Sequence, residues 1–460
     1  MNVNPKTQQA YQLLHDGTLA FARAERQGIR VDLIYAESKE KEMTKKIHRL
    51  EHEFKQSDFY KNWKKYKTDI NIYSSKQLGK HLYKDLNLEI TKQTKTGQGS
   101  TDIDALEQLN IPDVKNIIEI KKLKKIRDTY LAGFIREQVN GYIHPHFNLH
   151  TVRTYRSSSN APNFQNVPKR DEYASAICRG ALFPRPGHQL VEIDYGALEV
   201  SIAACYHKDP KMIQYLKDGK DFHADIAKEI FFIDKKDYTK KKYKTYRSAA
   251  KNGFTFAEFY GDYYKNCAEA LAYKWCQLPK GKRWKAGQGI KWPTGGNISD
   301  QLIKHGIKTI DDFIDHIQEM EDDLWKNKFP TYAKWKKKQW PQYQKKGYLD
   351  TYTGFRCSGV MKENDVINYP VQGAAFHCML WSFTQSDKIM LRENWDTKLI
   401  GQVHDSMVFD VLPTELDYII KTVQNITCIE LPKVFKWINV PLNVEADIYP
   451  VDGSWTKKIN

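Results

Sequence analysis

Two aspartates stand where a strand gives way to a turn. Asp194 ends the alternating run QLVEIDY (189–195), and Gly196 follows as a break. Asp405 sits inside LIGQVHDSMVFDV (399–411), two apolar runs around a polar His-Asp-Ser tip, which is the layout of a hairpin. Carboxylates brought together at strand ends hold two Mg2+ ions roughly 3.5–4 Å apart. Such a pair activates an attacking hydroxyl and stabilises a leaving oxygen in phosphoryl transfer. Mg2+ takes few protein carboxylates when substrate phosphates complete its shell, so two aspartates suffice. Either aspartate by itself is an ordinary turn residue, so the elements around them have to decide.

The chain is long enough, at 460 residues, for two or three subdomains around a sizeable core. No apolar run approaches the length of a membrane span. The start, MNVNPKTQQAYQLL, lacks the layout of a signal peptide. The formal charge is +16. Lysines cluster at Lys121–Lys125, Lys240–Lys244 and Lys334–Lys338, with Tyr243, Trp335 and Trp340 among them. Basic patches interleaved with aromatics suit a polyanion whose counterions are released on binding. The seven cysteines are scattered without a CxxC, which argues against a disulfide framework or structural zinc. Cys205 and His207 are close but lack a second ligand pair, so Cys205 reads as an ordinary helix thiol. A cytoplasmic location is expected, in a host cell if the chain is viral.

Residues 1–50 read as helical, and 36–70 as a long exposed helix or helical hairpin. The polar segment 91–101 reads as a flexible loop, followed by helix over 102–138. Strand-like pieces appear over 141–200 and helix returns over 199–275. Residues 278–297 form a Gly/Lys/Trp-rich loop.

Several segments, in order, resemble the family A (DNA polymerase I-like) DNA polymerases. DYGALEV (194–200) resembles motif A, RSAAKNGFTFAEFYG (247–261) motif B, and QVHDSMVF (402–409) motif C. TYRSSSNAPNFQNVPKR (154–170), NIYSSKQLGKHL (71–82), KTGQGST (95–101), GYLDTYTGFR (347–356), NYPVQGAAF (368–376) and AERQGIRVD (24–32) match further family segments. The resemblance implies an α+β right-hand fold, with an antiparallel palm sheet and helical fingers and thumb. It implies an N-terminal helical segment over 1–33, thumb over 34–140, palm over 141–215 and 347–460, and fingers over 216–346 with an insertion near 265–328.

The activity implied is template-directed DNA synthesis, adding dNTPs to a primer 3′ end, with two Mg2+ ions and Mn2+ as the alternative. Asp194 and Asp405 would hold the metals, helped by the backbone carbonyl of Tyr195. Arg247 and Lys251, four apart on one helix face, would reach the triphosphate, Lys251 acting in catalysis. His223 and Arg170 would add contacts near the incoming nucleotide, beside Phe256 and Tyr260. Glu199 matches the position that crowds a ribonucleotide 2′-OH. Arg156, Asn163, Gln165, Asn368, Gln372, His404 and Arg356 match primer–template contacts, mostly on the minor-groove side, where acceptors are common to all base pairs.

Departures from the family pattern carry their own expectations. Lys251 to Tyr260 is nine steps, one more than usual. In a continuous helix that swings the aromatics away from the Arg/Lys face. A π-bulge or break at Asn252-Gly253 is predicted, which makes Phe256 the stacking aromatic; without it Phe254 takes that place. Ser406 stands where a Glu is usual, and removes an outer carboxylate. Only about 20 residues precede AERQGIRVD, so a proofreading exonuclease is expected, if anywhere, on a separate chain; a processivity factor is a further expected partner, and no membrane is. Two alternatives stay open: an RNA polymerase of the same broad fold, suggested by Ser406, and a non-catalytic replication accessory. The Lys/Ile/Tyr-rich usage hints at a bacteriophage.

Overall fold

The computed structural model describes residues 4–90, 92–94, 96–109, 111–169, 171–281 and 283–459, the side chain of Asp104 excepted. Its centre is a four-stranded antiparallel sheet in the order Val444–Ile448, Gln189–Tyr195, Ser406–Val411, Lys398–Val403. The strand Gln189–Tyr195 was legible from its alternation and occupies an inner position. Its register sets Ser406 opposite Asp194 on one side and Glu445 opposite Asp194 on the other. The sheet is therefore a ruler that fixes where each strand end stops.

A 30-residue helix, Glu363–Arg392, packs against the helices Gln8–Gln27 and Leu198–His207. It buries residues around most of its circumference, among them Val371, Ala375, Met379 and Phe383, as a helix enclosed by neighbours must. Gln8–Gln27 starts on a Thr7 side-chain cap, accepting from the Ala10 N–H, and ends at Gly28. Gly28 has φ 67, and a Cβ there would meet the Ile143 carbonyl oxygen at 2.8 Å, so only glycine fits. The chain then enters the strand Ile29–Val31, which pairs with Tyr142–Ile143 and Leu182–Phe183. The expectation of helix throughout 1–50 is corrected here. Three residues are too few to show a strand period, and the pairing partners lie over 100 residues away.

Residues 36–70 form two helices, Leu33–Gln56 and Asp58–Tyr66. The first links two cores. Ala36, Met43, Ile47 and Leu50 pack into the main core, while Phe54 joins a second one with Phe59, Trp63, Leu78, Leu82, Leu106 and Ile117. A separate core lets this part hold its shape through its own burial, at ~1.5–3 kcal/mol per large apolar side chain. In the segment 91–101, of which Thr91 and Lys95 lie outside the described residues, Gln93 bridges to Gly99. Among the described residues no helix is long and apolar enough to cross a membrane.

Candidate active site

The hairpin Lys398–Val403/Ser406–Val411 turns through only two residues, His404 and Asp405. His404 takes φ 54, the left-handed conformation such a short loop requires. The Ser406 hydroxyl donates to the Val403 carbonyl at 2.8 Å and closes the turn. The backbone N–H of Tyr195 donates to the Asp405 carbonyl at 3.3 Å. Asp194 and Asp405 are thus brought together by the backbone, as the family resemblance implied. The Tyr195 side chain turns into the core, where its hydroxyl meets Ser382 at 2.7 Å. Only its backbone is left beside the Asp405 turn.

The sheet face carrying Asp194 also carries Glu192, Glu445 and Asp447 by the period of two. Burial pushes the Asp194 carboxyl up to about 7; Lys169 opposes this, while Glu192, Asp405 and Asp447 add to it. Hard oxygen donors with surplus negative charge fit a divalent cation of the Mg2+ type. Among the described residues no cluster of three or more His, Cys, Asp or Glu side chains is arranged to hold an ion.

Sequence reasoning passed over Glu192. It is almost fully buried. Its Oε1 accepts from Lys169 Nζ at 2.8 Å and from the Ser406 hydroxyl at 3.0 Å, and Arg179 Nη1 lies 3.3 Å from its Oε2. Burial pushes Glu192 upward, but Lys169 and Arg179 outweigh it and hold the carboxyl below its ordinary value. Ser406 therefore does not leave this place without a carboxylate: the neighbouring strand supplies one. The signal was a charged residue inside an apolar strand, which demands a partner; the partners themselves are far apart in sequence.

A second cluster gathers five segments. Arg156 Nη2 lies 3.4 Å from Glu199 Oε1. Burial pushes the Glu199 carboxyl up, while Arg156, Tyr260 and Gln372 pull it down. The Gln372 amide donates to Asn368 Oδ1 at 3.3 Å, one helical turn away. Gln165 lies underneath the hairpin, donating to the Ser157 hydroxyl at 2.7 Å and to Gln402, whose own amide donates to the His404 carbonyl. Its amide braces the Asp405 turn. Asn163 and His404 are exposed. Arg356 stands apart, paired through both nitrogens with Asp350 at 2.7 Å and lying over the Tyr348 ring. It lines a cavity of about 530 Å³ with His150, Arg153 and Tyr155. Arg170 lies outside the described residues.

The third cluster is helical. Lys244–Ala250 runs into a π-helical turn over Lys251–Thr255 and resumes as Phe256–Phe259. The lengthened spacing predicted a distortion at Asn252-Gly253, and this turn holds it. Gly253 suits this turn, because a Cβ there would come within 2.8 Å of the Leu271 side chain. The turn returns Phe256 to the cationic face: Lys251 Nζ lies 5.3 Å from its ring, His223 5.5 Å, and Tyr260 stacks on it at 5.8 Å. Phe254 is fully buried in the core. Burial lowers the His223 ring to about 3, with Lys251 and Arg247 adding to the effect, which favours the neutral ring. Arg247 forms a fork with Asp221, at 2.6 and 3.0 Å. Asp221 also caps the helix Phe222–Ile230. Cys205 is buried, and His207 stacks on Tyr332.

Residues 34–277 and 317–455 match the DNA polymerase family A profile. The chain belongs to DNA polymerase family A. Among its relatives, DNA polymerase I of Lactococcus lactis subsp. lactis (strain IL1403) is 29% identical over 357 residues, covering 76% of this chain and 36% of the relative. DNA polymerase I of Aquifex aeolicus (strain VF5) is 28% identical over 421 residues, 90% of this chain and 63% of the relative. The chain thus spans about a third of the first relative's length. The fold is shared with a solved structure, the POL domain of Pol1 from M. smegmatis in complex with DNA primer-template and dNTP. The TM-score is 0.73 at 23% identity, over 96% of this chain and 70% of that one. This is the right-hand α+β fold expected. Residues 278–316 fall outside the family A match. Within them, Trp292 packs edge-on against Tyr243 and Tyr246 of the adjoining segment, and Trp284 against Phe313.

Proposed function

We propose that this family A chain is a DNA-directed DNA polymerase, extending a primer 3′ end with dNTPs on a template and releasing pyrophosphate. The observation that carries the reading is the cross-strand register that sets Asp405 beside Asp194 at one end of the sheet. Asp194, Asp405 and the Tyr195 backbone carbonyl would hold two divalent ions, Mg2+ or Mn2+. Bound there, the ions supply Lewis acidity to the attacking hydroxyl and the leaving oxygen.

The remaining roles belong to side chains. Arg247 exchanges its Asp221 partner for phosphate oxygens, which offer the same bidentate geometry. Lys251 neutralises charge on the departing pyrophosphate, and His223 contributes a neutral donor. Phe256 and Tyr260 present a stacking surface to the incoming base. Glu199, held by Arg156 and Tyr260, fills the space a 2′-OH would need. Arg156, Asn368 and Gln372 face the primer–template minor groove with His404 at the primer end, and Asn163, Gln165, Arg170 and Arg356 complete the proposed set. The thumb is assigned to 34–140, the fingers to 216–346, and the palm to 141–215 with 347–460. A viral replication setting is proposed from composition alone, its relatives being bacterial.

Primer extension by wild type and Asp405→Ala, on DNA and RNA templates with dNTPs or rNTPs, tests this. Expected is extension on DNA with dNTPs by wild type only, with the variant still binding primer–template. Incorporation of rNTPs alone, or an equally active variant, overturns it.

A further inference from the structure

Among the buried charged groups that the mechanism leaves unused, one adjoins the carboxylate pair. Glu192 lies two residues before Asp194 on the same sheet face, and bonds to Ser406, the residue directly opposite Asp194. It also grips Lys169, whose side chain is about half exposed at the mouth of the site. Arg179, nearly fully buried, holds the other carboxylate oxygen and is itself fixed by donating to the Pro168 carbonyl at 3.0 Å and by the Trp455 ring at 3.8 Å. Carboxylate, hydroxyl and guanidinium thus form a rigid seat, and Lys169 is its one solvent-facing member. An ammonium held in this way needs no substrate to stay in place.

We propose that Glu192 is a positioning residue that seats Lys169 as a built-in counter-ion to the Asp194–Asp405 pair, setting how much divalent cation the site requires. This rests on the reading of that pair as the catalytic carboxylates. Lys169 balances the acidic sheet face in the free protein and gives ground when divalent cations arrive. Glu192 keeps the ammonium from settling on Asp194 itself and adds its own negative charge beneath the pair. The two residues therefore act on cation affinity with opposite signs. Ser406 takes part through its hydroxyl: at 3.0 Å from Glu192, the two side chains share one spot, so the carboxylate can be carried from either strand.

The test is equilibrium binding of the correct dNTP to the full chain on a primer–template whose primer ends in a dideoxynucleotide. A fluorescent template base reports binding while free Mg2+ is varied. Lys169→Gln is expected to lower the half-saturating Mg2+ about fivefold and Glu192→Gln to raise it about fivefold, as loss of one partly screened charge predicts. The Lys169→Gln/Glu192→Gln pair should fall between them. The exchange Glu192→Ser with Ser406→Glu should return the requirement to within about twofold of wild type, since the charge stays in the same place. Melting temperatures are read alongside; if Glu192→Gln does not fold, Lys169→Gln and the exchange still decide. A role confined to stability would lower the melting temperature and leave the Mg2+ requirement unmoved, and that result overturns the proposal. Shifts of the same sign in both single variants also overturn it. Wild type that binds no dNTP at any Mg2+ concentration instead overturns the reading of the site.

Discussion

The two halves of the site are held in place by different means. At the sheet end, Asp194 and Asp405 are fixed by backbone register and by a two-residue turn. On the helix opposite, Arg247, Lys251 and Phe256 depend on one π-helical turn and on an ion pair with Asp221. The sheet end is a ladder, and errors there move every residue together. The helical side is a set of side chains whose present partners, on the proposed reading, a substrate replaces. The carboxylates should therefore respond to substitution in an all-or-none way, and the cations by degrees.

The sharpest way to break this contrast is at the carboxylates. Asp194→Asn should cut extension about a thousandfold or more, equivalent to ~4 kcal/mol of barrier, with primer–template binding kept. Single-turnover kinetics measure it, and a loss under about tenfold would put Asp194 in the graded class.

The next largest effect separates two phenylalanines two residues apart. Phe254→Ala should cost ~3–5 kcal/mol of stability, as removal of a fully buried ring does, read by denaturant unfolding. Phe256→Ala should leave the fold intact and raise KM for dNTP about tenfold, from lost base stacking. The reverse pattern would mean that the π turn does not set which ring meets the base.

Arg247→Ala should raise KM for dNTP about thirtyfold, as loss of a bidentate charged contact does. Asp221→Asn should instead lower it about threefold, because phosphate no longer has to displace a charged partner from Arg247. Steady-state titration of dNTP decides. Equal effects would show that Asp221 is more than a placeholder for phosphate.

Much of this arrangement was legible in the chain, for identifiable reasons. QLVEIDY declares its strand by alternation, and QVHDS its turn by a polar break between apolar runs. The π turn followed from setting the nine steps between Lys251 and Tyr260 against the spacing usual in the family it resembles. Glu192 escaped because its partners Lys169, Arg179 and Ser406 come from three other segments, the last 214 residues away. Asp221 escaped because a helix cap and an ion-pair partner look the same in sequence. Only the tertiary packing brings Arg247 to it. The strand Ile29–Val31 was hidden by its length.

Acid gives the smallest and most even test of the comparison. His377, in the long helix behind the sheet, is fully buried, with its Nδ1 2.6 Å from the Thr353 hydroxyl and its ring stacked on Phe355 at 4.0 Å. Burial lowers it to about 3, as burial does for His223 on the helical side. The unfolded chain binds a proton at each near pH 6.5, and the native state does so only near 3, so stability is fully present above pH 6.5 and falls as pH drops through that window. Each such histidine steepens the loss by ~1.4 kcal/mol per pH unit. His377→Gln should therefore unfold with a shallower dependence on pH between 6 and 5, whatever its cost at neutral pH. His223→Gln should flatten it by the same amount, since linkage depends on the proton alone and not on which half of the site carries it. Denaturant unfolding at both pH values measures the slopes. An unchanged slope in His377→Gln would mean that the ring is already protonated, or reached by solvent, in the native state. The sheet side would then be the less tightly closed of the two.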